Sequence, residues 1–269
     1  MNKIPLGLKV PTPTSYDSSI LFRIEREPQG EEDKAFGADL WTCYETSFLN
    51  VQGVPTAGIL RWALSTDSKF IVESKSFKLF LGSCNFKQFE SSSLFVSTVR
   101  ETLVELLETD QIEIQYFSSQ EWSKLSTTQL PATSLDNQLI PSPTFTYNPE
   151  KLRMTKTETP QVQESLYSDL LRSLCPVTAQ PDWATVQIDY KGQQICKKSL
   201  LSYICSLRNH QGFHESLCQL IYSDICKYCT PERLTVSCFF TRRGGIDITP
   251  IRSSLPFSLG SEWRRTIRQ

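Results

Sequence analysis

A proline-rich segment in the middle of the chain is the feature that most constrains its fold. Between residues 119 and 160, five prolines stand among Ser, Thr, Asn and Gln, with little periodic apolar patterning. This composition is typical of a connecting segment and not of a helix or a central strand. We therefore predict an N-terminal domain over residues 1–118, a connecting segment over 119–160, and a C-terminal domain over 161–269.

The N-terminal part carries strand patterns followed by helix patterns. Two runs rich in aromatic and β-branched residues, Trp41–Leu49 and Thr56–Leu64, flank a glycine-containing turn and are typical of a β-hairpin. A helix is predicted from Ser76 and a longer amphipathic helix over residues 96–107. The alternation of apolar residues from Ile112 then predicts a strand.

The C-terminal part is interpreted in the same way. The predicted elements are a helix over Glu164–Leu174, a strand over Thr185–Tyr190 that turns at Lys191-Gly192, helices over Lys198–Leu207 and Leu217–Tyr228, and a strand from Leu234 to Phe240. Lys75-Ser76 and Lys198-Ser199 open corresponding helices, and the order strand, strand, helix, helix, strand is taken to hold in both halves. The predicted class is α+β, with two tandem domains that each place two helices on one face of an antiparallel sheet.

Composition narrows the class of protein. The formal net charge is −1, which gives no overall attraction to nucleic acid or to a membrane surface. Nine cysteines without the spacing of a secreted disulfide framework, and an N-terminus (Met1–Gly7) without an apolar core, predict a soluble cytoplasmic protein with free thiols. No apolar run approaches the roughly 18 residues of a membrane span.

A metal site is not expected. Cys226 and Cys229 form a Cys-x-x-Cys pair, to which Cys218 and Cys238 could add, but no second such pair is present. Cysteines three apart on an amphipathic helix are more simply small apolar residues. The chain has only two histidines.

The segment Ser173–Trp183 places a cysteine and a carboxylate seven residues apart, each beside a proline. Cys175 and Asp182 supply a nucleophile and a proton donor, the pair needed to add a thiol across a polar multiple bond. Two structural explanations compete with this one, a buried cysteine at a helix end and an aspartate that caps a turn. Burial beside Trp183 would keep Asp182 protonated, and an electropositive site would favour the Cys175 thiolate.

Two other segments carry binding chemistry. Phe213-His214-Glu215 opens a predicted helix, where the aromatic ring can stack on a planar heterocycle and the carboxylate can accept ring N–H bonds. Helix capping explains Glu215 equally well, and Glu73 has the same two interpretations.

Basic residues offer contacts for phosphate. They are Lys75, Arg242 and Arg243. Gly244-Gly245 lets a ligand approach the backbone, or forms a hairpin turn. Neither a Gly-x-Gly-x-x-Gly fingerprint nor a Walker loop is present in the sequence.

Four motifs carry a resemblance to a known family: Glu73-Ser74-Lys75-Ser76-Phe77-Lys78-Leu79, the Cys175–Trp183 stretch, Phe213-His214-Glu215 and Thr241–Asp247. Together and in this order, they resemble the motifs of the NADPH-dependent 7-cyano-7-deazaguanine reductases, the nitrile reductases of queuosine biosynthesis, in their longer, bimodular branch. The resemblance runs from about Leu6 to the C-terminal Gln269. It implies two tandem tunnelling-fold (T-fold) modules, assembled as a homodimer, and the four-electron reduction of a nitrile to a primary amine with two NADPH and no metal.

The resemblance also implies roles for individual residues. Cys175 would attack the nitrile carbon to form a thioimide, and Asp182 would protonate the nitrile nitrogen. The first hydride would give a hemithioaminal that collapses to an imine, which the second NADPH would reduce. The remaining roles are substrate binding by Val72, Glu73, Ser74, Phe213, His214 and Glu215, with His214 also shielding the intermediate, and NADPH binding by Ser74, Lys75, Arg243 and Gly244.

Three alternatives stay open at this point. A thiol hydrolase would use Cys175 with His214 as general base and would turn over without NADPH. A pterin- or purine-handling hydrolase of the same fold would commonly use zinc, which two histidines disfavour. A non-catalytic purine-binding module would lose nothing when Cys175 is replaced.

Overall fold

A computed structural model of the chain describes residues 12–27, 30, 34–155, 161–260 and 263–269. Two parts of the chain used in the sequence analysis lie outside the described residues. They are Met1–Gly7, the N-terminus without an apolar core, and residues 156–160, the end of the connecting segment.

Ten strands and four α-helices make up the described part. The strands are β1 (Arg23–Glu25), β2 (Phe36–Thr46), β3 (Gly58–Ser65), β4 (Phe70–Val72), β5 (Ile112–Ser118), β6 (Thr133–Ser134), β7 (Gln161–Leu174), β8 (Pro181–Gln193), β9 (Arg233–Phe240) and β10 (Ile246–Ser253). The helices are α1 (Ser74–Cys84), α2 (Ser92–Leu107), α3 (Lys197–Ser206) and α4 (His214–Cys229). Short 3-10 turns occupy Ser18–Ile20, Ser119–Lys124, Pro149–Lys151 and Leu207–Asn209.

Eight of the described strands form one continuous sheet. Their order is β5-β3-β2-β10-β9-β8-β7-β6, and every pairing is antiparallel except that of β6 with β7. A separate two-stranded ribbon joins β1 to β4. The two halves of the chain meet where β10 pairs with β2 along its whole length, from Ile246 opposite Cys43 to Ser253 opposite Phe36.

Each half has its own apolar core between the sheet and a helix pair. In the first core Trp41 and Trp62 of the sheet cluster with Phe77 of α1, and in the second Ile188 of the sheet clusters with Tyr203 of α3 and Ile221 of α4. Among the strands of the eight-stranded sheet, the order strand, strand, helix, helix, strand recurs as β2-β3-α1-α2-β5 and β7-β8-α3-α4-β9, with the ribbon strand β4 inserted before α1 in the first half. The α+β class with antiparallel sheets is therefore confirmed. The boundaries at 118 and 160 stay a prediction.

The central strands β2 and β10 are buried on both faces. Trp41 and Cys43 face the helices, whereas Ala38 and Leu40 pack on the opposite face against Phe257 and neighbouring residues of the C-terminal segment. The strand predicted over Trp41–Leu49 overlaps the second half of β2, and no strand was predicted where β10 lies.

The helix predicted over Glu164–Leu174 is wrong, because this segment is strand β7. Its leucines mimic helical spacing since the pairing with β8 shifts by one residue between Ser168 and Leu171. The extra residue lets both Leu166 and Leu171 face the core despite an odd separation. The predicted turn at Lys191-Gly192 is also wrong, because β8 continues to Gln193 and Gly192 pairs with Val162.

The connecting segment is part of the folded unit. Leu135 and Leu152 are fully buried in the second core, and β6 adds to the sheet edge beside β7. Tyr147 donates a hydrogen bond to the buried Asp224 of α4. The low apolar periodicity of residues 119–155 therefore reflects irregular backbone that packs against the second core.

Candidate active site

A cavity of about 270 Å³ opens where the two halves meet. Its walls come from the start of α1, the β7–β8 turn, the start of α4 and the β9–β10 turn. All eleven residues predicted from the sequence line this cavity: Val72, Glu73, Ser74, Lys75, Cys175, Asp182, Phe213, His214, Glu215, Arg243 and Gly244. Seven further residues line the cavity without having been assigned a role from the sequence, although Lys78, Pro176 and Ile246 lie within the motifs; the other four are Trp41, Ile71, Gly212 and Ile248.

Cys175 begins the turn between β7 and β8. Its N–H donates to the Gln180 carbonyl (2.8 Å), and its own carbonyl accepts from the N–H of Ala179 (2.9 Å). Ala179 has a φ of +55°, which closes the turn. The thiol is free and only 7% exposed. Cys175 thus follows a strand and not a helix, and the turn holds its backbone at the cavity wall.

Asp182 lies on β8 opposite Ser173, so the hairpin brings it back beside the strand that leads to Cys175. The carboxylate is 4% exposed and contacts two cationic or potentially cationic groups. One oxygen pairs with the Arg243 guanidinium, and the other lies 3.5 Å from Nε2 of His214. Burial alone would raise the pKa of Asp182, but His214 and Arg243 together lower it below its usual value.

The expectation that Asp182 keeps its proton is therefore wrong for the ligand-free site. Successive side chains of a strand point to opposite faces, so Trp183 turns away from the cavity. Its ring instead lies under the guanidinium of Arg208, 5.0 Å from the centroid. The groups that face Asp182 favour its carboxylate form.

His214 is the first residue of α4. Its ring stacks on Phe240 at a centroid distance of 3.7 Å with the planes 6° apart. Nδ1 is buried and has no hydrogen-bond partner among the residues that the structure describes, and Nε2 faces Asp182. Stacking and the Asp182 contact fix the plane of the imidazole against the cavity wall.

Glu73 caps the N-terminus of α1. Its two carboxylate oxygens accept from the N–H groups of Lys75 (2.9 Å) and Ser76 (2.7 Å). It is 2% exposed, and burial raises its pKa in spite of these two bonds. The capping explanation is therefore correct for Glu73, and a carboxylate oxygen has further lone pairs to offer the cavity.

Glu215 lies in the first turn of α4 and is 4% exposed. Burial and the nearby charge of Asp39 raise its pKa. The main chain of Glu215 is held by the buried Arg252, which donates to the Glu215 carbonyl (3.2 Å) and pairs with Asp39 (2.9 Å). The Glu215 carboxylate itself is buried at the cavity wall, which suits a ligand that offers hydrogen-bond donors.

The β9–β10 connection is a two-residue hairpin turn. Arg243 and Ile246 exchange backbone hydrogen bonds, and Gly244 and Gly245 have φ of +60° and +79°. Positive φ at both positions is the pattern of type I′ turns and favours glycine. The hairpin explanation of the Gly-Gly pair is correct, and the same turn presents Gly244 to the cavity.

The charges around the cavity suit a dinucleotide phosphate group. Lys75 provides a half-buried cation and Arg243 an exposed one, with the Arg243 side chain 41% exposed. Arg242 does not line the cavity and instead stacks on Tyr44, 3.5 Å from the ring centroid. Arg243 can therefore meet a phosphate at the mouth while it still reaches Asp182 inside.

The cysteine pair of α4 lies away from this cavity. Cys229 is buried in the second core and Cys226 packs against it. Across the described ranges, no group of three or more His, Cys, Asp or Glu side chains is placed to hold a metal ion. In the same ranges, no helix is both long and apolar enough to cross a bilayer.

Comparison with known proteins identifies the relatives of this chain. The family described as "Nitrile reductase, 7-cyano-7-deazaguanine-reductase N-term" matches residues 12–116, and the family described as "QueF-like protein" matches residues 181–255. An NADPH-dependent 7-cyano-7-deazaguanine reductase of Burkholderia vietnamiensis is 40% identical over 274 residues, covering 98% of both chains. Proteins with the same name from Paraburkholderia phymatum (39%, 98% of both) and Burkholderia lata (41%, 93% of both) are equally similar.

A solved structure of the archaeosine synthase QueF-Like in the apo form also matches, with a TM-score of 0.32 and 17% identity. It aligns over 38% of this chain and 100% of its own.

Proposed function

The chain belongs to the family of NADPH-dependent 7-cyano-7-deazaguanine reductases, and we propose that it reduces the nitrile of 7-cyano-7-deazaguanine to the primary amine 7-aminomethyl-7-deazaguanine, a step of queuosine biosynthesis. One observation carries the proposal. A single cavity gathers the thiol of Cys175, the carboxylate of Asp182, the two buried carboxylates Glu73 and Glu215, and a cationic mouth.

Cys175 acts as the nucleophile. Its sulfur bonds to the nitrile carbon, one C≡N π bond becomes the electron pair on nitrogen, and a thioimide links substrate to protein. The carboxylate form of Asp182, favoured by His214 and Arg243, accepts the thiol proton and passes it to the nitrile nitrogen. The proton lost from sulfur is thus the one gained by nitrogen, and no outside acid is required.

Glu73 and Glu215 bind the polar edge of the deazaguanine. Each carboxylate is buried and accepts hydrogen bonds, so the ring N–H and amino groups replace the water it lost on folding. Phe213 and His214 pack on the heterocycle, and the backbone at Val72 and Ser74 completes this wall. The stacked position of His214 keeps water from the bond between sulfur and carbon.

Ser74, Lys75, Arg243 and Gly244 hold NADPH. The cofactor supplies hydride, and two hydrides with two protons convert a nitrile to an amine. Cationic side chains at the mouth bind its phosphates, and Gly244 lets its backbone approach closely. Nothing in this arrangement requires a metal ion.

We extend the proposal to assembly and location. A homodimer is supported by the two ends of the sheet, to which strands of a second copy can add: β5 ends it on one side, and on the other the two-residue β6 pairs with only Leu166 and Tyr167 of the long strand β7. A reducing cytoplasm is supported by the nine cysteines, which are all free. A net charge of −1 supports small-molecule substrates over nucleic acid or anionic membrane partners.

The test is NADPH oxidation by the purified protein with and without 7-cyano-7-deazaguanine. We expect oxidation only with the nitrile, two NADPH per amine formed, and no turnover by Cys175→Ala. Nitrile hydrolysed without NADPH consumption would instead identify a thiol hydrolase. Nitrile bound but unchanged, with the same affinity in Cys175→Ala, would identify a binding module.

A further inference from the structure

Two walls of the cavity that are distant in the sequence are joined by backbone hydrogen bonds beside it. The N–H of Leu174, the last residue of β7, donates to the carbonyl of His210 (2.8 Å), and the Leu174 carbonyl accepts from the N–H of Gly212 (3.1 Å). Cys175 follows directly on one side of this junction, and Phe213 follows directly on the other. The junction therefore sets the spacing between the thiol and the start of α4.

Arg172 adds a side chain to the same junction. It lies on β7, three residues before Cys175, and is half-buried. Its guanidinium donates to the carbonyl of Arg208 (2.5 Å) and to Oδ1 of Asn209 (3.4 Å), both in the 3-10 turn that follows α3. A guanidinium presents its N–H groups in a rigid plane, so it can hold two neighbouring acceptors at once. Arg172 thus ties β7 to the segment that leads into α4.

Trp183 is the residue of the Cys175–Trp183 motif to which the proposed function gives no role. It lies opposite Arg172 in the β7–β8 hairpin. Its ring centroid is 5.9 Å from the guanidinium carbon of Arg172 and 5.0 Å from that of Arg208. Cations at these distances are attracted to an indole ring. The indole therefore contacts one arginine from each side of the junction, and it belongs to the strand that carries Asp182.

We propose that Arg172 is a positioning residue for nitrile attack, which holds Cys175 at the reactive distance from a substrate bound at the start of α4. The inference rests on the proposed function of Cys175 as the nucleophile. Arg172 does not line the cavity, so it acts through the junction and not on the substrate. A displacement of about 1 Å from the reactive geometry can cost about 10²-fold in rate. The bond-forming step is therefore the step that depends on Arg172.

Substrate binding should not depend on Arg172 in the same way. Glu73 caps α1, and Glu215 lies in the first turn of α4, so both carboxylates stay in place when the β7–β8 hairpin shifts. The affinity for the nitrile can be measured separately in Cys175→Ala, which forms no adduct. We expect calorimetric titration with 7-cyano-7-deazaguanine to give the same Kd for Cys175→Ala with and without Arg172→Met.

The rate of attack is measured as adduct formation by Cys175 without NADPH, followed by intact-protein mass spectrometry at saturating nitrile. Arg172→Met removes both charged hydrogen bonds but leaves the backbone bonds of Leu174, and we expect the limiting rate to fall about tenfold. Arg172→Lys keeps the charge and one donor but not the planar fork. It should fold as wild type does and recover part of the rate.

Arg208→Met distinguishes the hydrogen bonds of Arg172 from the packing around Trp183. It removes the second guanidinium on the indole but keeps the backbone carbonyl that accepts from Arg172. If Arg172 positions the hairpin through this carbonyl, the limiting rate of Arg208→Met should fall by less than about threefold. An equal loss in Arg208→Met and Arg172→Met would overturn the proposal and assign the effect to the stacked indole.

Arg268→Met is the matched control. Arg268 also donates to a backbone carbonyl and a side-chain oxygen on β7, those of Asp169 (2.7 and 3.3 Å), and it does not line the cavity. It should leave the limiting rate unchanged. An unaltered limiting rate in Arg172→Met, a weaker Kd for the nitrile, or an equal loss of rate in Arg268→Met would overturn the inference, whereas a wild-type protein that binds the nitrile without forming an adduct would overturn the proposed function itself.

Discussion

Glu73 and Glu215 both face the cavity from the start of a helix, yet they are held differently. The carboxylate of Glu73 accepts two backbone N–H groups of its own helix. The carboxylate of Glu215 lies near the charge of Asp39, and its backbone carbonyl accepts a hydrogen bond from Arg252. Burial raises the pKa of both side chains, but two hydrogen bonds that cap α1 compensate the Glu73 carboxylate, whereas the charge of Asp39 adds to the cost of ionised Glu215.

The position of Glu215 depends on a buried ion pair that joins the two halves. Arg252 on β10 and Asp39 on β2 are both fully buried, 2.9 Å apart, and Arg26 adds a second cation to Asp39. Removing Arg252 leaves the buried Asp39 with Arg26 as its remaining cationic partner, and a buried charge that loses a partner is costly.

The largest effect is therefore expected from Arg252→Met. The free energy of unfolding, measured by urea denaturation, should fall by about 3 kcal/mol, because Asp39 loses its fully buried partner and keeps only Arg26. The double variant Asp39→Leu, Arg252→Met should lose less stability than the sum of the losses in the two single variants. If Arg252→Met costs no more than a surface substitution, the pair does not hold the start of α4.

The second prediction concerns Glu215 itself. Glu215→Gln should lower kcat/KM for the nitrile about 10²-fold, since one buried charged acceptor is lost from the substrate site. The stability of the variant should not fall. A matching fall in both quantities would show that Glu215 supports the fold as Glu73 does.

The pH dependence of stability follows from the same comparison. Because burial raises the pKa of folded Glu215 above its unfolded value of roughly 4.3, its ionisation costs stability as the pH rises through that folded pKa. Wild type and Glu215→Gln should be equally stable near pH 4, where both side chains are neutral. Glu215→Gln should become the more stable of the two toward pH 8, in urea titrations at each pH.

Glu73 should differ from Glu215 in what its replacement costs in stability. Glu73→Ala removes the helix cap and should cost about 1 kcal/mol of unfolding free energy together with substrate affinity. Glu73→Gln keeps one acceptor oxygen and should restore part of the cap but less of the substrate affinity. Equal stability of Glu73→Ala and wild type would refute the capping role.

Much of this site could be predicted from the sequence because its residues lie in short motifs. Phe213-His214-Glu215 marks a helix start, and Gly244-Gly245 marks a hairpin turn, so local rules place both. The supporting contacts could not be predicted in this way. Asp39 and Arg252 are 213 residues apart, and Lys78 and Gly244 are 166 apart, so only the β2–β10 pairing brings them together. The bulge in β7 was missed for a related reason, since the partner strand sets the extra residue.

The smallest effect concerns the charge on Asp182, whose carboxylate contacts Arg243 of the predicted cofactor site and His214 of the predicted substrate site. Arg243→Met removes one of the two groups that lower the pKa of Asp182, so the acid limb of nitrile attack should move to higher pH. The shift should be under about one pH unit, because the Arg243 side chain is 41% exposed and solvent screens its charge. The pH profile is measured as adduct formation by Cys175 without NADPH, so that the loss of cofactor contacts does not affect it.

Arg242→Met is the matched control, since the guanidinium of Arg242 stacks on Tyr44 and does not contact Asp182. An acid limb that stays in place, or that moves equally in both variants, would mean that His214 alone sets the charge of the catalytic carboxylate.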